Sequence, residues 1–195
     1  ILLAAYDDMK AKGLECVLAT LVHVEGSSYR QAGARMLVNE NGEMVGAISG
    51  GCLEGDALKK ALLALEQQQN KLVTYDTSDE DDAVIGAQLG CNGVIQVLFE
   101  PINKDLDNNP MELIRKVIKI NEPSIIVTLF NLRKSEQQKG TLFIIDRQLD
   151  IAGETKELDY IEVIKANAKV AFTKNTSLFK EYHVSGQTHY SFIEL

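Results

Sequence analysis

The stretch AISGGCLEGDALKKALLALE, residues 47–66, places two glycines and a cysteine directly before a run with helical periodicity. From Cys52 onward, small and apolar residues recur with a period near 3.6, which predicts an amphipathic helix of about four turns. Gly50, Gly51 and Cys52 therefore form a predicted turn that leads into a helix N-terminus. Unbonded amides and the positive end of the helix dipole make such a terminus favourable for a bound anion.

Cys52 and Glu54 are the candidate reactive residues at this junction. The helix dipole would stabilise a thiolate at Cys52, which predicts a nucleophile or a soft metal ligand. A buried cysteine after an ordinary glycine turn is the alternative. Glu54 would repel a bound anion unless it has a proton-transfer or orienting role, and helix capping is its other interpretation. For Asp56, capping is the interpretation we favour.

Two further motifs flank this junction. The loop EGSSYRQAGARM, residues 25–36, combines the hydroxyls of Ser27 and Ser28 with Arg30 and Arg35. Arginine is well shaped for bidentate binding of phosphate or carboxylate, although pairing with surface carboxylates is the alternative. The segment LGCNG, residues 89–93, is a second glycine–cysteine turn and adds Cys91 and Gly93 as candidates.

Composition limits the class of protein. The chain has 195 residues, a net charge of -8, 45% hydrophobic and 25% charged residues, as in ordinary globular proteins. The acidic balance argues against a nucleic-acid partner, and no apolar run is long enough to span a membrane. No signal-peptide pattern is present, so we expect a cytoplasmic protein. The three cysteines and three histidines lack metal-site spacing, and the acidic run of residues 76–82 lacks that of a calcium loop.

The predicted elements occur in the same order twice, which indicates a duplicated unit. LATLVHV is matched by IVTLFNL, GARMLVNENGEMVG by GTLFIIDRQLDIAG, and VIQVLFEP by HYSFIEL. We therefore predict an α+β fold of two related lobes, residues 1–102 and 103–195, each with a mixed or mainly antiparallel sheet and packed helices. The second lobe is predicted to include a helix near 159–167 and a strand at KVAFT, residues 169–173.

The second copy lacks the SGGC, GCNG and arginine-loop motifs. This difference indicates that the first lobe keeps a site and that the second serves as scaffold, although loops also drift in any duplicated fold. A homodimer is expected because closed dimers are the commonest assemblies of soluble proteins.

Taken in order, LATLVHVEGSSYRQAGARMLV, GAISGGCLEGD and LGCNGVIQVLFEPI resemble the XdhC/CoxI family of xanthine dehydrogenase accessory proteins. The resemblance covers roughly residues 15–102. It departs from the family pattern at Tyr29, which replaces a proline, and at Asn92, which replaces a glycine. Many family members continue into a Rossmann-like domain that this chain does not include.

The resemblance implies a cofactor chaperone rather than an enzyme. Such a protein binds the molybdenum cofactor, protects it while an oxo ligand is exchanged for sulfido, and delivers it to a molybdenum hydroxylase. A cysteine desulfurase is the second implied partner. The expected reactive residues are Cys52, Cys91 and Glu54, with Cys52 contacting molybdenum. The residues expected to hold the cofactor and its phosphate are Ser27, Ser28, Arg30, Arg35, Gly50, Gly51 and Gly93.

Two other functions stay open at the level of sequence. The chain could be part of an oxidoreductase whose nucleotide-binding domain is missing, which would require a GxGxxG strand–helix junction elsewhere in the full protein. It could also be a non-catalytic interaction scaffold, to which no ligand would bind.

Overall fold

The computed structural model describes residues 1–28, 30–51, 53–76, 92–133, 137–156 and 158–195. These residues divide into two compact units, Ile1–Ile102 and Asn103–Leu195. Tyr29, Cys52 and Cys91 lie outside the described residues, as does all but the first residue of the acidic run.

The first unit is a five-stranded sheet with the strand order β3-β2-β1-β5-β4, in which every neighbouring pair is antiparallel. Helix α2 packs on one face of this sheet against β1, β2 and β5, and α1 contacts β2 and β3. The elements are α1 Leu2–Ala11, β1 Cys16–Ser27, β2 Arg35–Asn39, β3 Met44–Gly46, α2 Glu54–Gln67, β4 Lys71–Asp76 and β5 Asn92–Pro101.

The second unit repeats this plan, with the strand order β8-β7-β6-β10-β9 and again only antiparallel pairs. The prediction of an α+β fold with two similar lobes is therefore confirmed, and in the described residues both sheets are antiparallel rather than mixed. The elements are α3 Pro110–Lys119, β6 Ile125–Phe130, β7 Gly140–Ile145, β8 Ile151–Gly153, α4 Ile161–Lys174, β9 Leu178–Val184 and β10 Gln187–Glu194.

Each core forms between a sheet face and its 14-residue helix. In the first unit, alternate residues of β1 meet an alanine-rich face of α2, which lets the helix approach the sheet closely. Ala57, Ala61 and Ala64 of this face are fully buried. Their counterparts 107 positions later, Ile164, Ala168 and Ala171, are fully buried in the second unit.

The similarity of the two units extends to backbone detail. Helices α2 and α4 each end at a residue in the left-handed conformation, Gln68 and Asn175, which are also 107 positions apart. The turn after β2 is closed by Asn39, whose side-chain oxygen accepts from the amides of Asn41 and Glu43. Asp146 closes the turn after β7 in the same way.

Glycines Gly46 and Gly153 end β3 and β8 at equivalent positions, and both have positive φ angles. A Cβ atom at either position would lie 2.4 Å from a backbone carbonyl oxygen, that of Arg35 or of Leu142. Each unit therefore needs a glycine where its third strand crosses close to the preceding strand.

One expectation for the second unit was wrong, and one strand was missed. The segment KVAFT, predicted as a strand, forms the last turns of α4, because Ala168 and Ala171 continue the buried face of that helix. The actual strand of this region is β9, which begins at Leu178 and was not predicted. Among the described residues, no helix is long and apolar enough to cross a bilayer.

We predict that Gly153→Ala lowers the free energy of unfolding by roughly 3 kcal/mol, because the new methyl group meets the backbone and the φ angle is strained. Gly186→Ala is the matched control, since Gly186 also has a positive φ angle but open space around it. We expect the control to cost only about 1 kcal/mol. Urea unfolding measures both, and equal costs would contradict the close approach of β7 and β8.

Candidate functional site

The described parts of the three motifs of the first unit lie at one end of its sheet. The end of β1 pairs with the beginning of β5, so that Gly26 lies opposite Gly93. The arginine loop then reaches the glycine turn, because Arg30 Nε donates a hydrogen bond of 3.0 Å to the carbonyl of Ser49. The described parts of the three motifs are thus joined by one strand pairing and one side-chain contact.

Gly93 is required by this strand pairing. A Cβ atom at this position would lie 1.9 Å from the carbonyl oxygen of Glu25 and 3.1 Å from the Cα atom of Gly26. The glycine of the LGCNG motif therefore permits the close approach of β1 and β5, which is a structural reason for its presence.

Ser49 is the centre of the polar contacts at the turn, and its side chain is almost fully buried. Its hydroxyl oxygen accepts from the amides of Gly51 and Leu53, each at 3.2 Å, and donates to a carboxylate oxygen of Glu54. Its amide donates to the other oxygen of Glu54 at 3.1 Å. Ser49 was not among the predicted site residues, because its spacing of five to the glutamate differs from the spacing of three in a capping box.

Glu54 is the first residue of α2 and turns back toward Ser49. Burial raises the pKa of its carboxyl, but hydrogen bonds from the Ser49 hydroxyl and amide, and from the amides of Glu54 and Ile48, outweigh it and hold the pKa below its ordinary value. A carboxylate that is ionised and engaged through both oxygens suits an orienting role better than proton donation.

The two arginines differ in exposure. Arg30 is exposed beside the glycine turn, whereas Arg35 is partly buried in β2 and donates to the carbonyl of Gly33 at 3.2 Å. Ser28 lies in the same loop, and its buried hydroxyl oxygen has no hydrogen-bond partner among the described residues. A buried hydroxyl without a hydrogen-bond partner lowers the free energy of unfolding by about 1–3 kcal/mol, and a hydrogen bond to a ligand atom would offset this loss.

The glycine turn is open to solvent. Gly50 and Gly51 are exposed, Gly51 has a φ of +115, and a Cβ atom there would meet nothing within 4 Å. Cys52 follows Gly51 and Cys91 precedes Asn92, but both cysteines lie outside the described residues. Asp56, interpreted as a capping residue, accepts a hydrogen bond of 2.9 Å from the Tyr75 hydroxyl and so ties the start of α2 to β4.

The second unit has different residues at the positions of Ser49 and Glu54. At the positions 107 residues after Ser49 and Glu54 stand Lys156 and Ile161, which cannot form the same hydrogen bonds. The connection between β9 and β10 is only Ser185 and Gly186, whereas residues 77–91 join β4 and β5 in the first unit. Among the described residues, no group of three or more histidine, cysteine or acidic side chains could hold a metal ion.

Comparisons with known proteins agree with the sequence motifs. Residues 9–76 match the model of the XdhC and CoxI family. A 91-residue segment is 45% identical to a probable xanthine dehydrogenase subunit of Bacillus subtilis, covering 47% of this chain and 28% of that protein. A 67-residue segment is 39% identical to the molybdenum cofactor insertion chaperone PaoD of Escherichia coli, covering 34% of this chain and 20% of that protein.

A solved structure is also similar. The crystal structure of a xanthine dehydrogenase from Bacillus halodurans matches 84% of this chain and 47% of its own chain, with a TM-score of 0.63 and 34% identity. The chain therefore corresponds to about half of that protein, and the matched segments to less than a third of the two relatives. The predicted resemblance to the XdhC/CoxI family is confirmed.

We predict that Glu54→Gln lowers the free energy of unfolding at pH 7 by about 1–2 kcal/mol, because the amide accepts from Ser49 through only one oxygen. The native pKa of Glu54 is depressed, so its contribution is present at neutral pH and is lost as the pH falls below the ordinary carboxyl range near about pH 4.

Urea unfolding of the two proteins from about pH 7 down to about pH 3 measures this difference, which we expect to shrink below about pH 5, as the pH falls through the ordinary carboxyl pKa toward the lower native pKa of Glu54. Glu66→Gln on the exposed end of α2 is the control and should change stability little at any pH. A difference between Glu54→Gln and the parent that stays constant with pH would contradict the ionised, hydrogen-bonded carboxylate.

Proposed function

We propose that this chain is an accessory protein that binds the molybdenum cofactor and delivers it to a molybdenum hydroxylase of the xanthine dehydrogenase type. The match of residues 9–76 to the XdhC and CoxI family model supports the proposal. So does the PaoD relative, which is a molybdenum cofactor insertion chaperone. The cofactor is cargo in this role, so the chain needs residues that hold it reversibly rather than a resident metal site.

The observation that carries this proposal is the contact between Arg30 and Ser49. It brings an exposed guanidinium to the start of α2, where two exposed glycines precede the helix. A cation and a helix N-terminus side by side are complementary to a phosphate group, such as the one on the pterin of the cofactor. The sequence predicted the arginine and the helix N-terminus separately as groups that bind an anion. The contact between Arg30 and Ser49 supports binding of one ligand by both.

The rest of the turn fits an anionic group. A ligand can approach the backbone at Gly51, because a Cβ atom there would meet no described atom within 4 Å apart from those of the adjacent residues. The buried hydroxyl of Ser28 offers a donor or acceptor without a partner among the described residues. Both carboxylate oxygens of Glu54 accept hydrogen bonds from Ser49, which agrees with an orienting role for this residue rather than contact with the anion.

Cys52 and Cys91 are the proposed soft ligands for molybdenum or sulfur, with Cys52 the first choice. Cys52 comes directly after the glycine turn, where the positive end of α2 would stabilise its thiolate. Cys91 is two positions before Gly93, which lies beside the end of β1. Both assignments rest on sequence position and on the motifs of the family.

The finer parts of the proposal concern handling of the cargo. We propose that residues 1–102 hold the cofactor while a cysteine desulfurase supplies the sulfur for exchange of an oxo ligand. Residues 103–195 are proposed to be a degenerate repeat, with a Rossmann-like domain following in the full protein. A cytoplasmic homodimer is the proposed form in which the protein meets its hydroxylase.

We predict that Arg30→Ala lowers the amount of molybdenum and pterin that co-purifies with the protein about tenfold, because one charge-assisted phosphate contact is lost. The measurement is metal analysis and pterin fluorescence on full-length protein from a molybdenum-replete host. Arg147→Ala in the second unit removes the same charge and should leave occupancy unchanged. Equal amounts of molybdenum and pterin in the parent and in Arg30→Ala would contradict a role of Arg30 in cofactor binding.

We predict that Cys52→Ala abolishes cofactor retention, or activation of the client hydroxylase, without unfolding the protein. Circular dichroism and urea unfolding check the fold, and reconstitution of a cofactor-free hydroxylase checks activation. Cys16→Ala is the control, because Cys16 is a buried thiol of β1 at the far end of that strand from the arginine loop. Normal retention and activation by Cys52→Ala would exclude the thiol from the mechanism.

The same purification separates the two other functions. An oxidoreductase would turn over a substrate with a nicotinamide or flavin cofactor in the absence of a client enzyme. A plain scaffold would bind the hydroxylase but carry neither molybdenum nor pterin. Either result, with the parent protein, would replace the chaperone proposal.

A further inference from the structure

The second unit contains a pocket of about 330 Å³ at the end of β6 and the beginning of α4. Its volume lies at the lower end of the range of about 300–1,000 Å³ that small-molecule sites occupy. The lining combines apolar, aromatic, carboxamide and cationic side chains: Leu129, Phe130, Asn131, Gln137, Lys139, Tyr160, Gln187 and His189.

Tyr160 is the residue of this pocket that indicates a ligand. Its side chain is only 7% exposed, yet its hydroxyl has no hydrogen-bond partner among the described residues. The neighbouring Tyr182 hydroxyl, by contrast, bonds Ser191 at 2.7 Å and Asn167 at 3.3 Å. Burial raises the pKa of Tyr160 to about 12, so its hydroxyl stays protonated and can donate to an acceptor. A buried donor without an acceptor is rare in folded proteins and calls for a partner.

The wall around Tyr160 is aromatic. Its ring stacks on Tyr182 at 5.2 Å and on His189 at 5.4 Å between centroids. Phe130, on the apolar side of the pocket, is itself stacked with Tyr190 and is nearly buried. Of the aromatic lining residues, His189 is half-buried whereas Phe130 and Tyr160 are buried, so its ring is the one on which a flat ligand can stack.

The polar side of the pocket favours a negative charge on that ligand. Lys139 is the charged lining residue, and none of the described lining residues is acidic. Tyr160 is also the residue before α4, and its side chain forms no capping hydrogen bond, so the first amides of a 14-residue helix point toward this end. Gln137 and Gln187 offer both donors and acceptors at the exposed rim.

The pocket occupies the position in the second unit that the candidate cofactor site occupies in the first. Gln187 lies 94 positions after Gly93. Residues that take equivalent places in β5 and β10, judged by their pairing with β4 and β9, are also 94 positions apart. Tyr160 stands 107 positions after Leu53, the residue before α2. The side chains at the two ends are unlike, so the two units are suited to different ligands.

We propose that this pocket of the second unit binds a small planar heterocycle that carries an anionic substituent, of the nucleoside monophosphate class, with Tyr160 donating to a ring or carbonyl acceptor and Lys139 contacting the anion. This proposed binding function is an alternative to the expectation that the second lobe serves as scaffold, which stays a prediction. It rests on residues of the second unit alone and does not depend on the proposed cofactor function.

The test is calorimetric titration of the full chain with guanosine monophosphate and adenosine monophosphate, and with guanosine as the uncharged probe. We expect at least one monophosphate to bind with a submillimolar Kd and guanosine to bind at least tenfold more weakly. Tyr160→Phe should weaken monophosphate binding about tenfold while the Tm without ligand stays the same or rises, because an unpaired hydroxyl is removed.

Lys139→Ala should weaken binding of the monophosphate to the level of guanosine, and Lys169→Ala, an exposed lysine on α4, is its charge-matched control. Absence of binding for both monophosphates at millimolar concentration would overturn the proposal. So would equal affinities in the parent, Tyr160→Phe and Lys139→Ala, and equal affinity for guanosine would overturn its anionic part.

Discussion

The buried hydroxyl of Ser49 joins the parts of the candidate cofactor site. It accepts from two amides of the glycine turn, donates to Glu54, and belongs to the residue whose carbonyl accepts from Arg30. Because these contacts share one side chain and one peptide unit, the path of the turn, the direction of the glutamate and the position of the arginine depend on each other. The opening at Gly51 and the approach of the arginine loop follow from this junction.

The two units share most features of their fold, but only the first has the contacts between Ser49 and Glu54. Both keep the strand order, the 14-residue helix, the Asx turn after the second strand and the glycine where the third strand crosses. They differ at the end of the sheet that carries loops, where Lys156 and Ile161 replace Ser49 and Glu54. The two units therefore share the core, which is fixed by packing, and differ in the side chains at the loop end of the sheet.

Much of the fold could be predicted from the sequence, because helix α2 and the repeated strands carry clear periodicity. KVAFT was misassigned because valine, phenylalanine and threonine favour strands, whereas packing of Ala168 and Ala171 on the sheet decided for helix. Ser49 was missed because its role depends on a turn that brings it close to Glu54. The spacing of the two residues in the sequence does not predict that turn. The pocket around Tyr160 was missed because its lining comes from separate segments of the chain.

The central claim is that Ser49 and Glu54 act as one unit that shapes the candidate site. A double-mutant cycle with Ser49→Ala and Glu54→Ala measures this directly through the free energies of unfolding of the four proteins. We expect a coupling energy of about 1 kcal/mol or more, since either single substitution already breaks the shared hydrogen bonds. Additive effects of the two substitutions, with a coupling energy near zero, would contradict the claim.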